Sequence, residues 1–450
     1  MKKAAILTLA IATVLSVGFA FANGKSESSS STAGTSGAPT PVLFWTSFTP
    51  PDSTTLTQMV DTYNQENPNV KVTMVQVPGS ETDVAKLMTA VRGGTGPDVY
   101  QLDRFTVAQR AAAGVLEDLT PMVQAKDPNL SSKYLGFAWA ETQFKGHTYG
   151  LPFDTDSRVL YYNKDMIKAA GFDPATFDSS NGPLTLSYVE QVAKKIDKTD
   201  ASGNYTQVGF IPYDTTYSQG WHYTWGFVFG GKFADLAAGK VTPTDPGVVK
   251  AFTFMKDWAG WMGPQKVQTF ISTYSPPNNP PQQHPFLIGK VAMMINGDWM
   301  LNSIKQYAPN LNYGVTYIPV PAKGDTSQTW SGGWSFVVPK GSKHSQAAFN
   351  FISWMTGPVG EKMYTVGTSH MPTYKSVLDD NSLFTGNHMF FKQILANDNS
   401  RPPLPVGALY WDALTQAMNS VTLNQEDPMK ALQQVADTVQ PQLNQFLPLQ

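Results

Sequence analysis

The chain has 450 residues, enough for two or three domains, with 41% apolar residues distributed in runs that exclude disorder for its bulk. Only 15% of residues are charged and the formal net charge is −2, so no nucleic-acid grip or electrostatic membrane patch is encoded. Cysteine is absent, which excludes disulfides, thiolate metal sites, cysteine nucleophiles and a lipid-modified N-terminal cysteine.

Residues 1–22 read as a secretory signal. Lys2 and Lys3 form the charged start, Ala4 to Phe19 the apolar stretch, and Ala20-Phe21-Ala22 the small-x-small cleavage site. Residues 23–40 are a Ser/Thr/Gly/Pro tether that can bury no core. A signal without a lipid-anchor cysteine predicts a released, periplasmic protein, cleaved after about Ala22. No later segment is apolar for long enough to span a membrane.

From Pro41 onward the pattern alternates between strand and helix. Val42 to Trp45 is a short apolar strand. Ser53 can cap a helix whose Leu56, Met59, Val60 and Tyr63 recur at i, i+3, i+4, i+7, stopped by Asn67-Pro68-Asn69. Val70 to Val77 alternates as a strand; Val84, Leu87, Met88 and Val91 mark a second helix, broken at Gly93-Gly94-Thr95-Gly96-Pro97. Asp98 to Leu102 completes βαβαβ, which predicts a parallel sheet with right-handed crossovers. Later strands are expected at Val159–Asn163, Val208–Ile211, Val291–Ile295, Tyr313–Pro319 and Trp334–Pro339. Helices are expected at Ser187–Ile196, at Ala347–Met355 and from about Pro428, with loops at 275–285, 319–333 and 401–407.

Phosphate-loop and dinucleotide fingerprints are absent, since the Gly93–Gly96 run follows a helix rather than a strand. The six histidines lack metal-ligand spacing and read as surface or packing residues, so neither metal nor cofactor is expected. No G-x-S-x-G elbow occurs. Asp154 and Asp156 are two apart, hence on one side of an extended segment. That suits hydroxyl binding or a turn cap better than the opposed carboxyls of a glycosidase.

The informative pattern is tryptophan beside Asp or Arg near strand ends. Trp45 precedes Thr46-Ser47-Phe48; Asp103-Arg104 follows the third strand; Trp221 and Trp225 share a helical face. Asp298-Trp299 follows Asn296-Gly297, Gly332-Gly333-Trp334 opens a strand, and Tyr410-Trp411-Asp412 begins a late helix. Sugars offer apolar C–H faces to indoles and hydroxyl arrays to Asp, Asn and Arg, and open α/β sheets bind ligands at strand carboxyl ends. Trp139, Trp258, Trp261 and Trp354 fall within helical apolar patterns and are assigned to the core.

Gly150-Leu151-Pro152-Phe153-Asp154-Thr155-Asp156-Ser157-Arg158, running on to Tyr162-Asn163-Lys164-Asp165, resembles a strand-crossing motif of the extracellular solute-binding proteins of carbohydrate ABC importers, the maltose-binding-protein-like family. Gly289 to Trp299 is similar to a second motif of that family, in which a stacking Trp follows a Gly; Asp298 departs from the maltose binder, which has Pro there. Asn312 to Thr316, Asp103-Arg104, Gly332-Gly333-Trp334 and Trp411 add to the resemblance, which covers roughly 41–446.

The resemblance implies a two-lobed α/β fold with several chain crossings between the lobes and a ligand cleft at the hinge. One lobe would comprise 41–152 plus 318–369 and the other 153–317 plus 370–450. The implied function is non-enzymatic: a monomeric receptor that closes on a mono- or oligosaccharide and delivers it to the membrane permease subunits of an ABC importer. Trp45, Trp225, Trp299, Trp334 and Trp411 are the stacking candidates; Ser47, Asp103, Arg104, Asp154, Asp156, Asp298, Gly333 and Arg401 are the polar and close-approach candidates. Two other classes stay open: a binder of a charged molecule (a polyamine, glycerol phosphate or chelate), and a secreted carbohydrate-active enzyme.

Overall fold

The structure is a computed structural model that describes residues 38–77, 79, 85–214, 220–276, 279–395 and 399–449. The expected signal at 1–22 and the tether up to residue 37 lie outside the described residues, as does Val84 of the second helix.

Val42 and Phe44 alternate inward along the first strand, Thr40–Thr46, and meet Leu56, Met59 and Tyr63 of the helix Asp52–Glu66 in one apolar cluster. Each such side chain contributes about 1.5–3 kcal/mol on burial. The helix starts one residue before the expected cap: Asp52 opens it, and Ser53 is buried in its first turn. The strands Val70–Gln76 and Val99–Asp103 flank the first strand in parallel, in register Phe44 with Met74 and Phe44 with Val99. Trp334–Val337 and Gly150–Pro152 then extend the sheet antiparallel, with Trp334 opposite Asp103 and Phe336 opposite Leu151. That register sets the start of the Trp334 strand against the carboxyl end of the third strand, where a crevice forms.

A second sheet has Arg158–Asn163 at its centre, antiparallel to Met293–Gly297 on one side and Tyr313–Thr316 on the other. Its period-two alternation serves two cores. Val159 and Tyr161 enter one apolar cluster, Leu160 and Tyr162 the other, so every residue of this strand is buried. Asn163 ends the strand by accepting the Met166 backbone N–H at 3.0 Å, capping the helix that follows.

Two segments of the chain cross from one sheet to the other, 153–157 and 317–333, and each carries a short strand. Asp154–Thr155 pairs antiparallel with Met371–Pro372, while Trp330–Ser331 pairs parallel with Asn399–Ser400. Gly333 sits at φ 128°, and a Cβ there would meet Arg104 Nη1 at 2.2 Å and the Asp154 carbonyl oxygen at 2.3 Å, so only glycine fits.

Two expectations are corrected. Val208–Ile211 forms no strand: Val208 makes a single bridge to Val291, and Gly209 backs directly onto the Ala193 backbone. The stretch 319–333 is not all loop, since it contains the short strand Trp330–Ser331. The helices Leu186–Ile196, Ser345–Met355 and Pro428–Leu443 match the expected periodic segments, the last capped by Asp427 on the Lys430 backbone N–H. Of the four tryptophans assigned to the core, Trp258 is fully buried, and Trp139, Trp261 and Trp354 are half-buried against the apolar clusters.

Candidate functional site

A cleft of about 530 Å³ opens between the two sheets and along the crossing segments, within the size range of small-molecule sites. Eight of the sequence candidates line it: Ser47, Asp103, Asp156, Trp299, Gly333, Trp334, Arg401 and Trp411. Local folding explains each placement. Ser47 and Phe48 follow the first strand as it leaves the sheet, and Trp334 begins its strand directly opposite Asp103. Trp299 opens the helix Trp299–Tyr307 two residues after Gly297, behind the cap Asp298, and Trp411 lies in the first turns of the helix Gly407–Leu423.

Gly297 is what lets Trp299 fold back. A Cβ on it would come within 1.9 Å of the Trp299 ring. Gly297→Ala should therefore displace the indole and weaken ligand binding about tenfold or more, measured by calorimetric titration; an unchanged affinity would show that Trp299 does not contact the ligand.

The charged residues of the wall are paired within the protein. The Arg401 guanidinium donates to both Asp103 oxygens, at 2.7 and 3.3 Å, and stacks on Phe105 with its central carbon 3.9 Å from the ring centre. Arg158 donates to Asp156 and to the Trp330 carbonyl, and its guanidinium lies 3.4 Å from the Trp330 ring centre. Asp156 also accepts the Gly332 backbone N–H at 2.8 Å. Burial pushes the Asp103 carboxyl up, against the pull of Arg401, while Arg401 is held above its ordinary value because Asp103 and Glu141 outweigh its burial.

Five sequence candidates do not line the cleft. Trp45 points to the far face of the first sheet, half-buried near Leu87 and Tyr100, with the Lys86 ammonium 5.1 Å from its ring centre. Trp225 is fully buried, donating its indole N–H to the Pro212 carbonyl at 2.7 Å and packing against Phe210 and Phe254. Arg104 has no exposed surface; it donates to Glu141 at 2.9 Å and to the carbonyls of Asp154 and Gly332. Asp154 accepts the Trp334 backbone N–H at 2.6 Å, and burial raises its carboxyl to about 6. Asp298 caps its helix on the Trp299 N–H at 2.9 Å and accepts the Met371 N–H at 3.1 Å; burial raises it well above the carboxylate range. These three polar side chains stitch the crossing segments together instead of facing the opening.

The cleft also uses residues that pattern reading passed over. Phe48 meets Trp334 edge to face at 4.9 Å, and Asp52, Arg158, Asn296, Trp330 and His370 complete the wall. Trp330 and Trp334 flank Ser331-Gly332-Gly333, a symmetry visible in the sequence. His370 read as surface or packing; it is buried and faces the cleft. Among the described residues no cluster of ligating side chains could hold a metal ion.

Residues 58–390 match the pattern of a family described as bacterial extracellular solute-binding protein. The chain is 23% identical over 402 residues to the maltotriose-binding protein of Pyrococcus abyssi (strain GE5 / Orsay), spanning 87% of this chain and 78% of that one. It is 25% identical over 459 residues to the galactooligosaccharide-binding protein of Bacillus subtilis (strain 168), spanning 98% and 97%. Among solved structures it is similar to CpMnBP1 with mannobiose bound, at 27% identity and a TM-score of 0.78, covering 88% of this chain and 99% of that one.

Proposed function

The chain belongs to the bacterial extracellular solute-binding protein family, with its two-lobed α/β fold, and from that premise we propose that it is a sugar receptor of an ABC importer. In this reading it captures a neutral mono- or oligosaccharide between closing lobes and hands it to membrane permease subunits, as a monomer and without catalysis. The lobes are 41–152 plus 318–369 and 153–317 plus 370–450, joined by the crossing segments.

One observation carries the choice of ligand class. The wall's two arginines are each matched by a carboxylate, Asp103 with Arg401 and Asp156 with Arg158, and Asp52 lies 3.8 Å from His370, while Phe48, Trp299, Trp334 and Trp411 supply flat apolar faces. A polyamine would need surplus carboxylates and a phosphate surplus arginines; a neutral polyol needs paired charges that both donate and accept, beside rings. The buried Nε–H groups of Arg158 and Arg401 have no hydrogen-bond acceptor among the described residues. Non-catalytic capture is supported by the same pairing: carboxylates tied to arginines are poor proton donors and nucleophiles. The relatives named for maltotriose and galactooligosaccharides support the sugar class without deciding the sugar.

Export to the periplasm is part of the same proposal, supported by the signal read at residues 1–22. Among the described residues no helix is long and apolar enough to cross a membrane.

A thermal-shift screen tests the ligand class. A neutral sugar at a hundredfold excess over its Kd should stabilise the protein by about 2.7 kcal/mol and raise the melting temperature, whereas spermidine and glycerol phosphate should not. A shift with an amine or phosphate and with no sugar would overturn the reading.

A further inference from the structure

His370 sits where the crossing segments meet the cleft. Its ring lies nearly parallel to Trp299, Tyr364 and Phe48, with centres 5.6, 5.2 and 6.4 Å away and planes inclined by 22°, 24° and 18°. Its nitrogens face carboxylates from three separate segments. Nε2 is 3.8 Å from Asp52, while Nδ1 is 3.3 Å from Asp154 and 4.0 Å from Asp298. The Asp154 oxygen that faces it has no hydrogen bond of its own.

These neighbours come from both sides of the cleft. Phe48 and Asp52 belong to the segment leaving the first sheet; Asp298 and Trp299 follow a strand of the second. One imidazole ring therefore touches aromatic wall and acidic group on each side. A neutral ring would leave two buried carboxyl groups, Asp154 and Asp298, and the partly exposed Asp52 facing one another with no cation between them, which would part the segments that carry them.

We propose that His370, as an imidazolium, is the positioning residue for ligand capture: its charge holds the Asp52 and Asp154 carboxylates while its ring stacks on Phe48 and Trp299, and so sets both rings in their gripping arrangement. This rests on the sugar-receptor reading of the cleft. The surroundings favour the charged form. Burial alone would lower the His370 pKa, but Asp52, Asp154 and Asp298 outweigh it and raise it to about 10. Asp156 adds negative charge beside Asp154 and Asp298. His388, on the helix Asn387–Leu395, stays neutral, lowered to about 4 by burial first and then by the His370 charge. Tyr364 and Glu361 are both raised by burial and add no compensating cation. Because the folded-state value lies above the ordinary 6.5, the contribution of His370 is complete below about pH 6.5 and is lost as pH rises through about 10.

Two measurements on the purified protein test this. The first needs no ligand: the His370 ring resonances, assigned by their loss in His370→Phe, should not titrate below about pH 8, and a midpoint near 6.5 would overturn the proposal. The second is calorimetric titration with mannobiose, maltotriose and galactooligosaccharides. Wild-type affinity should be flat from about pH 6.5 to 8 and fall about tenfold or more towards pH 10.5. His370→Phe, which keeps a flat ring, should bind about tenfold more weakly at pH 7 and lack the alkaline fall. Wild-type affinity in the Phe variant, or the same alkaline fall in both proteins, would overturn it. If no sugar binds the wild type, the receptor reading fails, and the ring titration still decides the charge state on which the positioning role depends.

Discussion

Replacing Arg104 by Met should cost about 3–5 kcal/mol of folding stability, read as a lower urea midpoint. The guanidinium is fully buried and serves acceptors on three separate segments: Glu141, the Asp154 carbonyl and the Gly332 carbonyl. Met fills much of the same volume but leaves Glu141 as a buried carboxyl without its ion-pair partner and takes a donor away from the Asp154 and Gly332 carbonyls. Glu141 is already raised by burial, with Arg104 the largest opposing influence, so it would take up a proton once the arginine is gone. Adding Glu141→Gln to Arg104→Met should therefore recover part of the loss, whereas independent sites would simply add. Arg104→Lys should rescue little, because a point charge cannot reach three acceptors that a planar fork spans. A wild-type urea midpoint in Arg104→Met would show that the crossing segments are held by other contacts.

Trp299→Ala and Trp334→Ala should each weaken sugar binding by about 30-fold or more, corresponding to at least ~2 kcal/mol. Both indoles are only half-buried, so each keeps an open face on the cleft, and both start an element whose backbone is fixed without the ring. The Trp334 N–H bonds Asp154 and the Trp299 N–H bonds Asp298 through backbone atoms that alanine retains. Folding stability should consequently fall far less than affinity. Trp225→Ala provides the contrast: its indole is wholly inside the apolar cluster, and truncation should cost about 3–5 kcal/mol of stability. Calorimetric affinities beside urea midpoints for the three variants separate the roles. Equal loss of affinity and stability in Trp299→Ala would mark that ring as core.

The elements legible in the sequence were those with a local period. Val42 to Leu102 alternates apolar residues at two- and 3.6-residue spacing, and its parallel three-strand unit follows from chain order. The two antiparallel strands that complete the sheet, Trp334–Val337 and Gly150–Pro152, meet it through contacts far apart in sequence, which no local period encodes. Val208–Ile211 has strand-like residues, but its backbone is pinned against Ala193 and pairs at one position only.

The site divides the same way. A tryptophan one or two residues after a glycine at an element's start, as at Trp334 and Trp299, lines the opening. An aspartate or arginine at a strand end is ambiguous, because a ligand hydroxyl and the N–H or carbonyl of a crossing strand ask for the same chemistry. Asp154, Asp298 and Arg104 found the backbone; Asp103, Asp156 and Arg401 remain on the cleft wall. His370 carried no motif, since Asp52, Asp154 and Asp298 converge on it only in three dimensions.

The most direct measurement is a crystal structure of the purified protein with the tightest sugar from the thermal-shift screen. The expected result places pyranose faces against Trp299 and Trp334, with hydroxyls on the Asp103–Arg401 and Asp156–Arg158 pairs. A sugar bound away from this cleft, or an amine or phosphate held in it by charges of one sign, would contradict the assignment of a neutral-sugar site.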